Sequence, residues 1–80
     1  MKMLKIEVFE NNVKDTTIKI PLDVLKAISR VFPKKYLSLL EAKSMGIEDL
    51  ILAATNPDTS GTIVEIEDHQ DNERVIISVE

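Results

Sequence analysis

Residues 18–32 read IKIPLDVLKAISRVF, Ile18 to Phe32, and within them the chain passes from strand to helix across a single proline. Thr16, Ile18 and Ile20 alternate with Thr17 and Lys19, the period of two of a half-buried strand rich in β-branched side chains. At Pro21 the period changes. Proline cannot donate the N–H that a continuing strand needs, but its fixed φ suits the first position of a helix, and Asp23 adds negative charge to the positive first turn. At about 100° per residue, Val24, Leu25, Ile28, Val31 and Phe32 share a face about 120° wide, with Lys26 and Arg30 across from it. Pro33 pushes Phe32 out of the helical region, so the spacing predicts one helix of about eleven residues.

Upstream, Leu4, Ile6 and Val8 alternate with Lys5, Glu7 and Phe9, a first strand with one apolar face. Asn11-Asn12 marks a turn. A two-residue loop at the asparagines would set the apolar faces of the two strands on opposite sides, so a three-residue loop, Asn11 to Val13, is expected. It places Val8 opposite Thr16, Ile6 opposite Ile18 and Leu4 opposite Ile20. Lys5 then faces Lys19, a mild penalty unless an acidic residue from another strand intervenes.

Downstream, Lys34 to about Met45 reads as a second helix with Tyr36, Leu37, Leu39 and Leu40 toward the core, stopped by Gly46 in a left-handed conformation. A third helix starts at Ile47, with Leu50, Ile51 and Ala54 on its face, Leu52 off it, and Asn56-Pro57-Asp58 closing it. Thr62–Glu67 and Arg74–Val79 form a second hairpin, with Ile66 opposite Val75, Val64 opposite Ile77, Glu67 opposite Arg74, and His69 to Asn72 as a four-residue loop. The expected fold is α+β, ββαααββ: a four-stranded, mainly antiparallel sheet covered on one face by three short helices, in one domain over 1–80. Strand order is left open.

The 80 residues are 44% hydrophobic and 30% charged, the composition of a chain that folds. A chain this short buries only about 60% of its unfolded surface, so a partner that contributes area would matter. There is no Cys, which excludes disulfides, Cys-based metal sites and a thiol nucleophile, and fits a reducing, cytoplasmic setting. No apolar run is long enough to span a membrane. The net charge of −4 is uneven: residues 1–43 hold nine Lys or Arg against five Asp or Glu, a net of +4, and residues 44–80 hold one against nine, a net of −8. Pairing between strands from the two ends would turn that contrast into internal complementarity.

The segments TTIKIPLDVLKAISRVFPKK, GIEDLILAA and GTIVEIEDHQDNERVIISVE resemble the SHOCT-like domain of YvlB/LiaX-type bacterial envelope-stress proteins, here as a stand-alone chain. In those proteins the domain precedes a β-helical one. The resemblance covers roughly residues 3–80 and is strongest at Ile20-Pro21-Leu22, Ile47-Glu48-Asp49-Leu50, Thr62 to Ile66 and Arg74-Val75. It implies a small interaction or regulatory domain and brings no catalytic residues or cofactor. The loop Asp68 to Asn72 lacks the glycine expected from relatives.

Chemistry is sparse. His69 is the lone histidine, among Glu67, Asp68, Asp71 and Glu73, without the carboxylate spacing or central glycine of a calcium loop, and reads as a solvated turn. The serines have no second histidine or lysine arrangement to activate one, and two isolated glycines build no phosphate loop. Enzymatic activity, cofactor and metal are therefore not expected. Lys26, Arg30, Lys34 and Lys35 form the one basic cluster and the candidate anion contact. They support an anion- or nucleic-acid-binding regulator as the alternative function. A solvated helix face is preferred, however, and no binding to anionic lipid or oligonucleotide is expected. DNA recognition is disfavoured because Glu48 and Asp49 would lead the third helix into phosphates.

Met3, Leu52, Ile63 and Ile76 point away from the faces their elements bury and make up the candidate interaction surface. The function they indicate is a non-enzymatic protein-interaction or self-association module, a homodimer or a contact with another protein. Edge pairing and helix contact rank above packing through the sheet face, where Glu65 and Glu67 would repel unless Lys5 or Lys19 of a partner met them.

Overall fold

Alternation and turns generate eight segments in the computed structural model, which describes residues 2–80. They are β1 (Met3–Glu10), β2 (Val13–Pro21), α1 (Leu22–Ala27), a 3₁₀ turn (Ser29–Val31), α2 (Lys34–Ala42), α3 (Ile47–Thr55), β3 (Gly61–Asp68) and β4 (Glu73–Val79). The four strands make one antiparallel sheet in the order β2-β1-β4-β3, so the two hairpins join through β1 and β4. The fold is the expected ββαααββ. Reciprocal backbone bonds of 3.1 Å between Met3 and Glu80 extend the central pair.

On the inner face the registers set Ile20, Leu4 and Val79 in one row, Ile18, Ile6, Ile77 and Val64 in the next, and Thr16, Val8, Val75 and Ile66 in a third. The helices supply Leu22, Leu25, Tyr36, Leu40, Leu50 and Ala54, and Phe32 enters from the segment between α1 and α2. All of these helix residues are buried, as are the inner residues of the two central strands.

Four local expectations are corrected. The first hairpin has the expected partners, Val8 with Thr16, Ile6 with Ile18 and Leu4 with Ile20, but reaches them differently. The loop has two residues, Asn11 and Asn12, both at positive φ, and Glu10 pairs with Val13. A bulge then leaves Asp15 without an opposite residue and restores the register that a bare two-residue loop would have lost.

The predicted eleven-residue helix is interrupted. Ile28, at φ −136° and ψ 85°, separates α1 from the 3₁₀ turn. Val24, Ile28 and Val31 lie off the core at 41%, 46% and 39% exposure, and Lys26 and Arg30 fall on different elements. Pro33 holds Phe32 extended, and burial of Phe32 in that conformation takes precedence over helical continuation through Ile28 and Val31, whose branching lowers helix propensity.

Helix α2 ends early, at Ala42. Ser44, at φ 59°, takes the left-handed position, with Ser44 N–H donating to the Glu41 carbonyl and Met45 N–H to that of Leu40. Gly46 is extended instead, at φ −85°, and begins α3 with its N–H donated to the Asp49 carboxylate at 3.2 Å. Finally, β3 bulges between Thr62 and Val64, which turns Ile63 against the core and off the outer face.

Candidate functional site

The helices cover one side of the sheet only. The other side carries, across β2, β1, β4 and β3, the rows Lys19, Lys5, Ser78, Thr62, then Thr17, Glu7, Ile76, Glu65, then Lys14, Phe9, Arg74, Glu67. Ile76 is central, on an interior strand, with Glu7 on one flank and Glu65 on the other. Cations gather toward β2 and carboxylates toward β3.

Most of those charges are paired. The Lys14 ammonium lies 2.8 Å from Glu7, and Lys5 lies 3.6 Å from the same carboxylate. The hydrogen bond from Lys14 holds the Glu7 carboxyl below its usual value, partly opposed by desolvation. Glu80 receives Lys5 at 3.6 Å and Lys19 at 3.3 Å, so the expected clash of Lys5 with Lys19 is relieved by an acid from the other end of the chain. Arg74 reaches Glu65 at 3.5 Å and stacks 4.9 Å from the Phe9 ring centre, and its buried Nε has no hydrogen-bond partner among the described residues.

The four residues of the candidate interaction surface do not form one patch. Met3 and Ile76 are half-buried on strands β1 and β4, Ile63 packs against the core, and Leu52, 70% exposed, stands on α3. The basic residues fall on three consecutive elements. Lys26 is on α1, Arg30 on the 3₁₀ turn, and Lys34 and Lys35 open α2. Lys35 is engaged by Glu73 at 3.6 Å, whose carboxylate raises its pKa. Sequence reasoning missed the stack of Phe9 on Arg74. The outward position of Phe9 was legible in its alternation with Val8, but the register of β1 against β4 that brings Arg74 to it was not.

At the far end of the sheet the two hairpin tips meet. Asn72 donates from Nδ2 to Asn11 Oδ1 at 2.6 Å, and Asn11 N–H to the Asn72 carbonyl at 3.0 Å. Asn72, at φ 53°, occupies the left-handed position where a glycine was expected. The cleft beside the tips, of about 90 Å³, is lined by Phe9, Asn12, Asn72, Arg74 and a rim of acidic residues with His69. It is well below the size of a small-molecule site. His69 lies 3.7 Å from Glu67, and among the described residues no three His, Asp or Glu side chains are grouped to hold a metal ion. No described helix is long and apolar enough to cross a membrane.

Comparison with protein families returns one described as YvlB-like protein, C-terminal domain, matched by residues 2–78. Its description is of a C-terminal domain, whereas the resemblance read from the sequence sets the domain ahead of a β-helical one. Comparison with curated proteins returns no match, and neither does comparison with solved structures.

Proposed function

The chain belongs to the YvlB-like C-terminal domain family, and from that membership we propose that it is a non-enzymatic protein-contact module that associates with a second copy of itself through the uncovered face of its sheet. The observation that carries this reading is the strand order. It sets cation-bearing β2 and acid-bearing β3 at opposite edges, with Ile76 between them.

A two-fold axis parallel to the strands lays β2 of one copy over β3 of the other. Lys14 then approaches Glu67 of the second copy, Phe9 approaches Arg74, and the Ile76 side chains sit near the axis. That arrangement removes the repulsion which ranked face packing below edge pairing. The edges are also poor templates: β2 carries the Asp15 bulge and Lys14 and Lys19, and β3 carries the Ile63 bulge and Glu65 and Glu67. Four strands at about 4.8 Å spacing offer roughly 400 Å² in projection on each copy, about half of what each partner of a stable interface buries, so pairing is weak and concentration dependent.

The same proposal takes in the SHOCT-like assignment, a regulatory part in a bacterial envelope-stress response and a cytoplasmic setting, supported by the quoted resemblance and the cysteine-free composition. Light scattering from tens of micromolar toward millimolar tests self-association. The average mass is expected to rise from one chain toward two with concentration for the unmutated protein and for Leu52→Glu, and to stay at one for Ile76→Glu. A single-chain mass at every concentration before mutation, or a rise that survives Ile76→Glu, contradicts it.

A further inference from the structure

Against the expectation from sequence that the basic cluster binds no anionic lipid, and because the broken helix leaves apolar residues exposed beside it, we propose that the stretch Val24–Lys34 is a contact surface for an anionic lipid bilayer, a property that does not rest on self-association. Its apolar residues are those which periodicity assigns to the core and the broken helix leaves outside: Val24, Ile28 and Val31 are exposed. The backbone links them turn by turn, Ile28 N–H donating to the Val24 carbonyl at 2.8 Å and Val31 N–H to that of Ile28 at 3.1 Å. Three of the five large apolar residues exposed among the described residues thus fall within eight positions.

Interleaved with them are Lys26, Arg30 and Lys34, all exposed. Among the described residues none of the three forms an ion pair, whereas Lys5, Lys14, Lys19, Lys35 and Arg74 all do; of the other two cations, Lys2 donates to the carbonyls of Asn56, Pro57 and Thr59, and Lys43 forms no ion pair. Free cations and uncovered aliphatic side chains therefore coincide on one short segment of an otherwise acidic chain. Aliphatic groups that enter the headgroup boundary while lysine and arginine meet lipid phosphates make the recognised chemistry of an interfacial segment.

Charge excludes the other occupants. Two copies meeting through this surface about a two-fold axis would bring like cations together. Docking on the acidic half of a second copy would be heterologous and would not close. A folded protein partner would need a pocket for its anchor residues, and the cleft beside α1 is lined by Lys2, Asp23, Lys26 and Thr55 around an already buried Leu22. A bilayer needs no pocket. Because the whole chain is negative, attraction depends on this local group of cations and falls steeply as salt is added.

Co-sedimentation with vesicles tests the assignment. The chain is expected to partition onto vesicles of phosphatidylcholine with an equal part of phosphatidylglycerol at low ionic strength, and not onto phosphatidylcholine alone. Arg30→Glu combined with Lys34→Glu should weaken partition at least about tenfold. Ile28→Asn should weaken it with the fold intact by circular dichroism, and Leu52→Asn should leave it unchanged. Absence of phosphatidylglycerol-dependent partition overturns the proposal, as does undiminished partition of the double variant, or binding to polyglutamate or duplex DNA in place of vesicles.

Discussion

Four non-glycine residues take positive φ, Asn11, Asn12, Ser44 and Asn72, and each marks a place where the chain reverses or a helix stops. Asparagine enters that region more easily than other side chains, which is why Asn11-Asn12 was legible as a turn. Ser44 was not legible, because Gly46, two residues on, looks the better stop. The structure separates them: Ser44 bears the strain, while Gly46 is extended and its missing Cβ would meet only the Asp49 carboxylate, at 3.8 Å. Ser44→Gly is therefore expected to raise stability by a few tenths to about 1 kcal/mol. Gly46→Ser, a substitution between two good helix-capping residues, should change it by less than about 0.5 kcal/mol. Urea unfolding midpoints at unchanged slope measure both, and a large loss at Gly46 with none gained at Ser44 would restore glycine as the stop. The bulges at Asp15 and Ile63 left no signal in the sequence. A bulge adds one residue to a strand without altering its composition, so a count of residues to the turn gave the right register with the wrong loop.

Among the elements, the strands were read closely and the first helix was not. Period-two alternation fixes which side of a strand is apolar whether or not its neighbours are known, and Leu4, Ile6, Val75 and Ile77 are buried as it requires. Helical periodicity says only that Leu25 and Phe32 can share a face. It does not say that the backbone stays helical between them. A short helix preceded by a proline without a side-chain cap gains little from continuing, and tertiary placement of Phe32 decides the outcome. Leu25→Ala should cost about 2–4 kcal/mol, as a fully buried leucine does, and Ile28→Ala less than about 1 kcal/mol. Comparable losses at both positions in thermal or urea unfolding would mean that the helix runs on through Ile28 and buries it.

At the scale of the whole molecule, the order β2-β1-β4-β3 brings the chain's two ends together at the centre of the sheet. That order was illegible, since all four strands show the same alternation and no loop signals which hairpin edges meet. Charge held a trace of it. The basic first half and acidic second half become neighbours, and Glu80 against Lys5 and Lys19, together with Glu73 against Lys35, is the complementarity that the asymmetry required. Although most charges on the uncovered side are paired within the chain, their distribution keeps a direction: a sheet face with cations at one edge, acids at the other and Ile76 in the middle, free of any covering helix. The most direct measurement is of amide chemical shifts by NMR as the chain is concentrated from tens of micromolar toward millimolar. Self-association through the face predicts concentration-dependent shifts at Lys5, Glu7, Ile76 and Glu65 and none at Leu52; shifts that gather on α3 around Leu52, or a spectrum that does not change at all, would contradict it.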